Sequence, residues 1–548
     1  MAGASRVRNS KILYLLMALL WVWLAIFVIY PLLNVMTTGR LAEFQRVLQR
    51  SYYRKVIMNT LGLGGTVALL STTIAFIYAY TITKVDLPRR LRRLLHFIAL
   101  IPTVSPPFIF GISLILLFGS RGLVTYNWLG LRNVNLYGFP GLVIVQTLAF
   151  FPFAYLSFRS LLMGLDPSLD EAGSVFGGGR LTVFRKVTFP LVLPVVISSF
   201  FMVFMLSATD IGNPVFIGGN FDVLSSQIYV SVIGRFDIRT GSILAILLLI
   251  PTLSLFALQQ WIAKKWTYST VTGKPSQVGH RIQDRPVVFL MGGFTLLMAL
   301  FVVLFYVMIL VGALVNVWGV DYSFTFRHFE QVLFGTWMLG LKTVKDTLFL
   351  AAIASLLGGL LSLATAYLIT RGKIKGRLAL DIFTTLPMAV PGIVTGLGYA
   401  IAFNKPPFLL AGTSLIIIAI FTIRTVPYGL RTAVAAMNQI DQSIEEASLV
   451  FGANEAQTFG RILLPLIRLS LLAGLIFSFT QNITTLSAVI FVISPRWNLI
   501  TAAMLAEIET GKIGGASALG SILILIVLLL NVFNYFFIER KDIMRLED

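Results

Sequence analysis

"DPSLDEAGSVFGGGRLTVFRKVTFP", Asp166 to Pro190, is a charged, glycine-punctuated stretch in a chain that is 57% hydrophobic and 12% charged. A second copy, "DQSIEEASLVFGANEAQTFGRILLP", runs from Asp441 to Pro465, 275 residues later, with nine identities in 25 positions. Each copy reads as a short helix outside a membrane. Asp166 and Asp441 suit the N-cap, where a carboxylate accepts from free backbone amides, and Pro167 suits the first helical position. Asp170 and Glu171, or Glu445 and Glu446, place negative charge in the early turns, where the helix dipole favours it. Leu169, Ala172, Gly173 and Phe176 recur at i, i+3, i+4 and i+7, as do Ile444, Ala447, Ser448 and Phe451, giving a small-residue apolar stripe. Gly177 and Gly452 are expected to stop the helix, and a second short helical piece leads to Pro190 or Pro465. A duplicated amphipathic helix of this kind is expected to serve two equivalent partner sites. The competing reading is a pair of membrane-surface helices related only by duplication.

The surrounding sequence is apolar. Soluble proteins carry about 25% charged residues, and a membrane-spanning helix needs about 20 apolar ones. Twelve spans are expected, near 12–36, 57–83, 94–119, 139–163, 191–216, 241–262, 287–315, 343–369, 378–403, 412–433, 466–493 and 516–538. The first lacks a small-residue cleavage site and reads as a retained helix. Lys and Arg outnumber Asp and Glu by 43 to 23. The excess falls in particular loops: Lys84, Arg89, Arg90, Arg92 and Arg93; Lys264, Lys265, Lys274, Arg281 and Arg285; Arg371, Lys373, Lys375 and Arg377. These share one side, expected to be cytoplasmic, together with both termini and both copies of the opening stretch. The loop with Arg40, Arg46, Arg50, Arg54 and Lys55 dissents. The chain has no cysteine, which excludes disulfides, iron–sulfur clusters and thiolate metal sites. His96, His280 and His328 stand singly, so no metal site is expected.

The duplication extends beyond the quoted stretch. "FQRVL" at Phe44 answers "FEQVL" at Phe329, and "AYTITK" at Ala79 answers "AYLITR" at Ala366. Pro102, Pro106 and Gly111 answer Pro387, Pro391 and Gly396, and Pro152 answers Pro427. Six spans per half is an even number, so the repeats point the same way. The expected architecture is an all-α polytopic membrane protein: a first module over 1–262, a basic linker over 263–286 and a second module over 287–548.

The opening stretch resembles the E-A-A-x(3)-G-x(9)-I-x-L-P loop of ABC importer permeases. The first copy carries Glu171-Ala172-Gly173, Gly177 and Val187-Thr188-Phe189-Pro190; the second carries Glu446-Ala447-Ser448, Gly452 and Ile462-Leu463-Leu464-Pro465. The departures are Gly or Ser at the third position, and Val and Phe for Ile and Leu in the first copy. The resemblance covers nearly the whole chain, as two permease modules fused head to tail. It implies a type I importer fold in a bacterial inner membrane. Each loop would then be a coupling helix docked on one of two cytoplasmic ATPase copies, through Glu171, Ala172, Phe176 and Gly177 or Glu446, Ala447, Phe451 and Gly452. It also implies a periplasmic or extracellular solute-binding protein and no nucleic acid. The chain has no G-x(4)-G-K-[ST] loop, so ATP and Mg belong on the partner, and no cofactor or enzymatic role is expected here. "TDIGNPVFIGGNFDVLSSQIYV" (Thr209 to Val230) and "VTGKPS" (Val271 to Ser276) are similar to the ferric-iron permeases. "TTLSAVIFVISPRWNLITAAML" (Thr484 to Leu505) is closer to permeases for sugar phosphates or phosphonates. Thiamine permeases share the fused layout. A secondary transporter driven by an ion gradient is the alternative of another class; it would place paired acids in mid-membrane, where this chain has few.

Polar groups inside spans are expensive and mark candidate pathway residues. Asp210 and Asn213 lie near the outer end of span five. Asn482 and Thr485 lie in the matching stretch of span eleven, Thr485 being the counterpart of Asp210. These are expected to face a pathway or its gate, with helix capping as the competing reading. Arg424, midway along span ten opposite an alanine in the other repeat, needs a wet cavity, an acidic partner such as Asp210, backbone carbonyls or an anionic substrate. The prolines of "PTVSPP" and "PMAVPG" are expected to break spans three and nine.

Overall fold

The computed structural model describes residues 10–39, 41–132, 134–165, 179–265, 281–335, 340–372 and 375–534. In hydrocarbon every backbone amide needs an internal partner, which favours helices. Among the described residues the sheet is confined to one hairpin, β1 (Val315–Val317) and β2 (Asp321–Phe324). The helices used below, in chain order, are α1 (Leu13–Thr38), α2 (Ser51–Lys84), α3 (Arg89–Leu100), α4 (Ile109–Phe118), α5 (Phe139–Gly164), α6 (Phe184–Thr209), α7 (Leu224–Tyr229), α8 (Ile238–Ile262), α9 (Arg285–Leu314), α10 (Leu341–Thr370), α11 (Arg377–Ala389), α12 (Gly392–Ala402), α13 (Ser414–Asn438), α14 (Gln442–Val450), α15 (Glu455–Thr484), α16 (Ile500–Glu509) and α17 (Ile513–Asn534).

Eleven described helices are long and apolar enough to cross a membrane, and α11 with α12 makes a twelfth, bent by 104°. The bend sits at "PMAVPG", where Pro391 immediately precedes α12 and cannot supply a ladder amide. The equivalent break in the first repeat separates α3 from α4 by a 3-10 turn over Ile101–Val104. Both expected breaks are therefore present.

The described chain forms two compact units that cut across the repeat. One contains Met1–Arg40, Phe334–Ala503 and Ile522–Asp548; the other contains Leu41–Leu333 and Met504–Ser521. The boundaries 1–262, 263–286 and 287–548 are those expected from the repeat; the first unit instead takes the first helix of the first half, and the second unit takes the first helix of the second half together with Met504–Ser521. Thus α1 packs with α10, α11, α12 and α13, and α9 packs with α2, α3 and α4. Hydropathy cannot specify this exchange, because lipid is as apolar as leucine and helix partners are chosen by close packing and interhelical hydrogen bonds. In the first unit Tyr399 donates to the Phe27 carbonyl at 2.7 Å. Gly429 there lies against Ser362, whose hydroxyl donates to Val426 at 2.9 Å. In the second, Gly64 lies against Phe204, and Tyr78 donates to the Leu95 carbonyl at 2.7 Å.

Candidate functional site

The second copy of the opening stretch folds as its sequence dictates. Asp441 caps α14, its carboxylate accepting from the Ser443 amide at 2.9 Å. That amide holds the Asp441 carboxyl below the usual carboxylate range. At the other end Gly452 has φ +91°. Its amide donates to Leu449, and the Ala453 amide donates to Ser448, each at 3.1 Å. This crossed pair is a Schellman stop, which favours glycine at the left-handed position. Asn454 and Gln457 then form a reciprocal capping box that starts α15. The expected separate second piece is instead continuous with the span. A π turn over Phe459–Leu463 precedes Pro465, so the regular ladder gives way where the proline has no N–H.

The outward face of α14 carries its apolar residues. Glu445 and Ser448 point inward, and Ser448 meets the Thr458 hydroxyl at 3.0 Å, tying the two arms of the loop. Glu446 and Ala447 are exposed. Val450 and Phe451 are 84% and 89% exposed. The stripe expected from Ile444, Ala447, Ser448 and Phe451 thus buries only its serine in this chain. Two adjacent large apolar side chains held in the open form a surface suited to a protein partner. In the first copy, residues 166–178 lie outside the described residues, and with them Glu171, Ala172, Phe176 and Gly177.

Arg371, at the end of α10, reads from sequence only as a loop charge. Its guanidinium donates to the Met437 and Ile440 carbonyls, both at 2.9 Å. Its Nε lies 2.5 Å from Glu445 Oε1, with the two side chains 4% and 10% exposed. One turn earlier, Tyr367 meets Phe459 edge-on at 5.3 Å and 80°. The first repeat has the same aromatic contact, Tyr80 with Phe184 at 5.8 Å and 89°. The signal for Arg371 was present in the repeat itself: "AYTITK" and "AYLITR" both end on a cation.

The polar residues expected in the pathway sit at helix breaks. Asp210 ends α6. One carboxylate oxygen accepts from Gln146 at 2.9 Å and Asn213 at 2.7 Å; the other accepts from the Gly212 amide at 3.1 Å. The Asp210 carbonyl accepts from Ser225 at 2.6 Å, and its counterpart Thr485, which ends α15, accepts from Thr501 at 2.8 Å. Behind each, a threonine on the long preceding helix caps the next one. Thr60 accepts from the Leu224 amide at 2.8 Å, and Thr347 accepts from the Ile500 amide at 3.0 Å. Asn482 donates to Ser355 at 3.1 Å. Arg424 donates to the Val390 carbonyl at 2.9 Å and the Pro387 carbonyl at 3.3 Å, bridging the bend between α11 and α12. The structure therefore joins Asp210 to Asn213 and adds Gln146, which the sequence reading missed inside an apolar helix. No cluster of metal-ligating side chains occurs among the described residues.

Residues 71–268 and 358–542 match the family described as "Binding-protein-dependent transport system inner membrane component". The chain belongs to this family. It is 34% identical over 529 residues to the ferric transport system permease protein FbpB of Actinobacillus pleuropneumoniae, covering 92% of this chain and 75% of the relative. It is also 34% identical over 497 residues to a putative ferric transport system permease protein of Haemophilus influenzae, covering 85% and 76%. A sulfate transport system permease protein of Salmonella typhimurium is 29% identical over 199 residues, covering 34% of this chain and 72% of that one. This family member is a multi-pass permease subunit of an ABC importer, with the family module present twice. It is a transport subunit and not an enzyme; it works with an ATPase and a substrate-binding protein.

Proposed function

We propose that this permease carries ferric ion, delivered by an external binding protein, across the bacterial cytoplasmic membrane, driven by two copies of a cytoplasmic ATPase. The observation that carries the coupling role is the exposed apolar end of α14: Val450 and Phe451 stand in the open on a helix anchored by its opposite face. Glu446, Ala447, Phe451 and Gly452 meet one ATPase copy, and Glu171, Ala172, Phe176 and Gly177 meet the other. The side bearing the basic loops is cytoplasmic, with both termini on it. ATP and Mg stay on the partner, and the chain needs no cofactor of its own. Asp210, Asn213, Arg424, Asn482 and Thr485 shape the pathway by fixing helix ends beside it.

Support for ferric ion comes from the names of two relatives, each 34% identical, that align along most of the chain. The anionic alternatives, an organophosphate or phosphonate, rest on the likeness of Thr484 to Leu505, on the net positive charge and on Arg424, and the Arg424 guanidinium is engaged by two carbonyls. Nothing further favours thiamine or an ion-gradient mechanism. The test is uptake by proteoliposomes holding the chain and the ATPase that co-isolates with it. With a ferric-loaded binding protein outside, iron should accumulate only when ATP is enclosed. Uptake that follows an ion gradient, with no ATPase retained, would defeat the reading.

A further inference from the structure

We propose that the buried Arg371–Glu445 ion pair is the pin that makes the ATPase-docking helix and the cytoplasmic ends of α10 and α13 move as one body. This rests on the docking reading of α14. A nine-residue helix is too short to hold itself together in water, so a push on its outer face depends on its inward contacts, beside the short chain links to α13 and α15, to move the membrane helices as a body. Ser448 meets Thr458 in the first turn of α15, the span that follows α14 directly in the chain. Among the described polar contacts of α14, Glu445 is the side chain that carries a charge pair to a neighbouring membrane helix, α10.

Arg371 is suited to the junction. Its planar fork serves several acceptors at once: one edge holds the Met437 carbonyl in the last turn of α13 and the Ile440 carbonyl just beyond it, while Nε lies in ion-pair distance of Glu445. A single guanidinium thus links α10, α13 and α14. Tyr367 lies four residues earlier, on the same face of α10, and its ring contact with Phe459 gives the loop a second foothold. Behind both stands an apolar cluster of Ala366, Leu430, Ala433, Met437 and Ile467. Two footholds one turn apart resist rotation as well as sliding.

The repeat extends the idea. Lys84 is the counterpart of Arg371 and Asp170 of Glu445, and the Tyr80–Phe184 contact matches Tyr367–Phe459. Asp170 lies outside the described residues.

The test uses the full importer in proteoliposomes, reading ATPase retention, ATP hydrolysis and uptake per ATP. Glu445→Gln and Arg371→Met should keep the ATPase and its hydrolysis while uptake per ATP falls about tenfold, within the usual range of coupling effects. The chain has no cysteine, so Arg371→Cys with Glu445→Cys gives it one reactive pair. Joining that pair with a bifunctional maleimide should restore uptake per ATP. An unchanged ratio in the single variants overturns the pin. So does recovery of the double variant without the linker, or loss of the ATPase from the variants alone, which would make the pair a docking contact. Should Glu445→Gln not insert, Glu445→Asp takes its place: a lowered ratio supports the pin and a normal one overturns it. Failure of the unaltered chain to retain any ATPase would instead sink the docking reading.

Discussion

At the scale of single residues, the polar groups inside the spans answer to backbone geometry. Arg424 is the clearest case. A mid-span arginine invites a substrate role, yet its donors meet the Pro387 and Val390 carbonyls that the bend leaves outside regular helix. Arg424→Met should leave those carbonyls unserved and lower stability by about 1–3 kcal/mol. Thermal unfolding in detergent checks this; normal stability with lost uptake would return Arg424 to a substrate role. Asp210 obeys the same logic. Its carboxylate is an acceptor for two side-chain amides and one backbone amide, so Asp210→Asn turns one acceptor into a donor facing donors. A loss of about 1–3 kcal/mol is expected, read as a lower unfolding temperature whether or not cargo is present. The identity of Asp210 was legible in the sequence because a charge stands out among apolar residues. Gln146 was not, because only the packing of α5 against the end of α6 makes it a partner.

At the scale of elements, α14 shows which local signals suffice. Its cap, its length and its stop follow from Asp441, the acidic first turn and Gly452, all contacts within a few residues. A side chain built at Gly452 would meet nothing within 4 Å, so the penalty there is conformational. At φ +91° asparagine is tolerated best after glycine, then alanine, with valine worst. Gly452→Asn, →Ala and →Val should therefore lose uptake per ATP in that order, at similar expression. A loss smallest for alanine, with asparagine and valine alike, would mean that bulk, not backbone, matters. Which face of α14 looks inward was not legible. The i, i+3, i+4 pattern marks an apolar stripe but cannot say whether it is covered by this chain or by another, and here the inward anchor is a glutamate.

At the scale of the whole molecule, the two compact units cross the sequence halves: each half gives its first helix to the other unit, and Met504–Ser521 goes with the second unit as well. If the exchange holds the chain together, residues 1–265 and 281–548 co-expressed as separate pieces should co-purify, since α1 packs on helices of the second half. Independent recovery of the pieces would contradict it. The sequence by itself determined the membrane class, about how many spans there are, the duplication and the caps of α14. Each of these is set by composition, by periodicity or by contacts close in the chain. Only the tertiary structure decided that α1 and α9 cross to the opposite unit, that Arg371 grips Glu445 and that Arg424 closes a bend. The reason is physical: between equally greasy helices, partners are selected by shape and by hydrogen bonds to distant backbone, and neither leaves a periodic trace in one sequence.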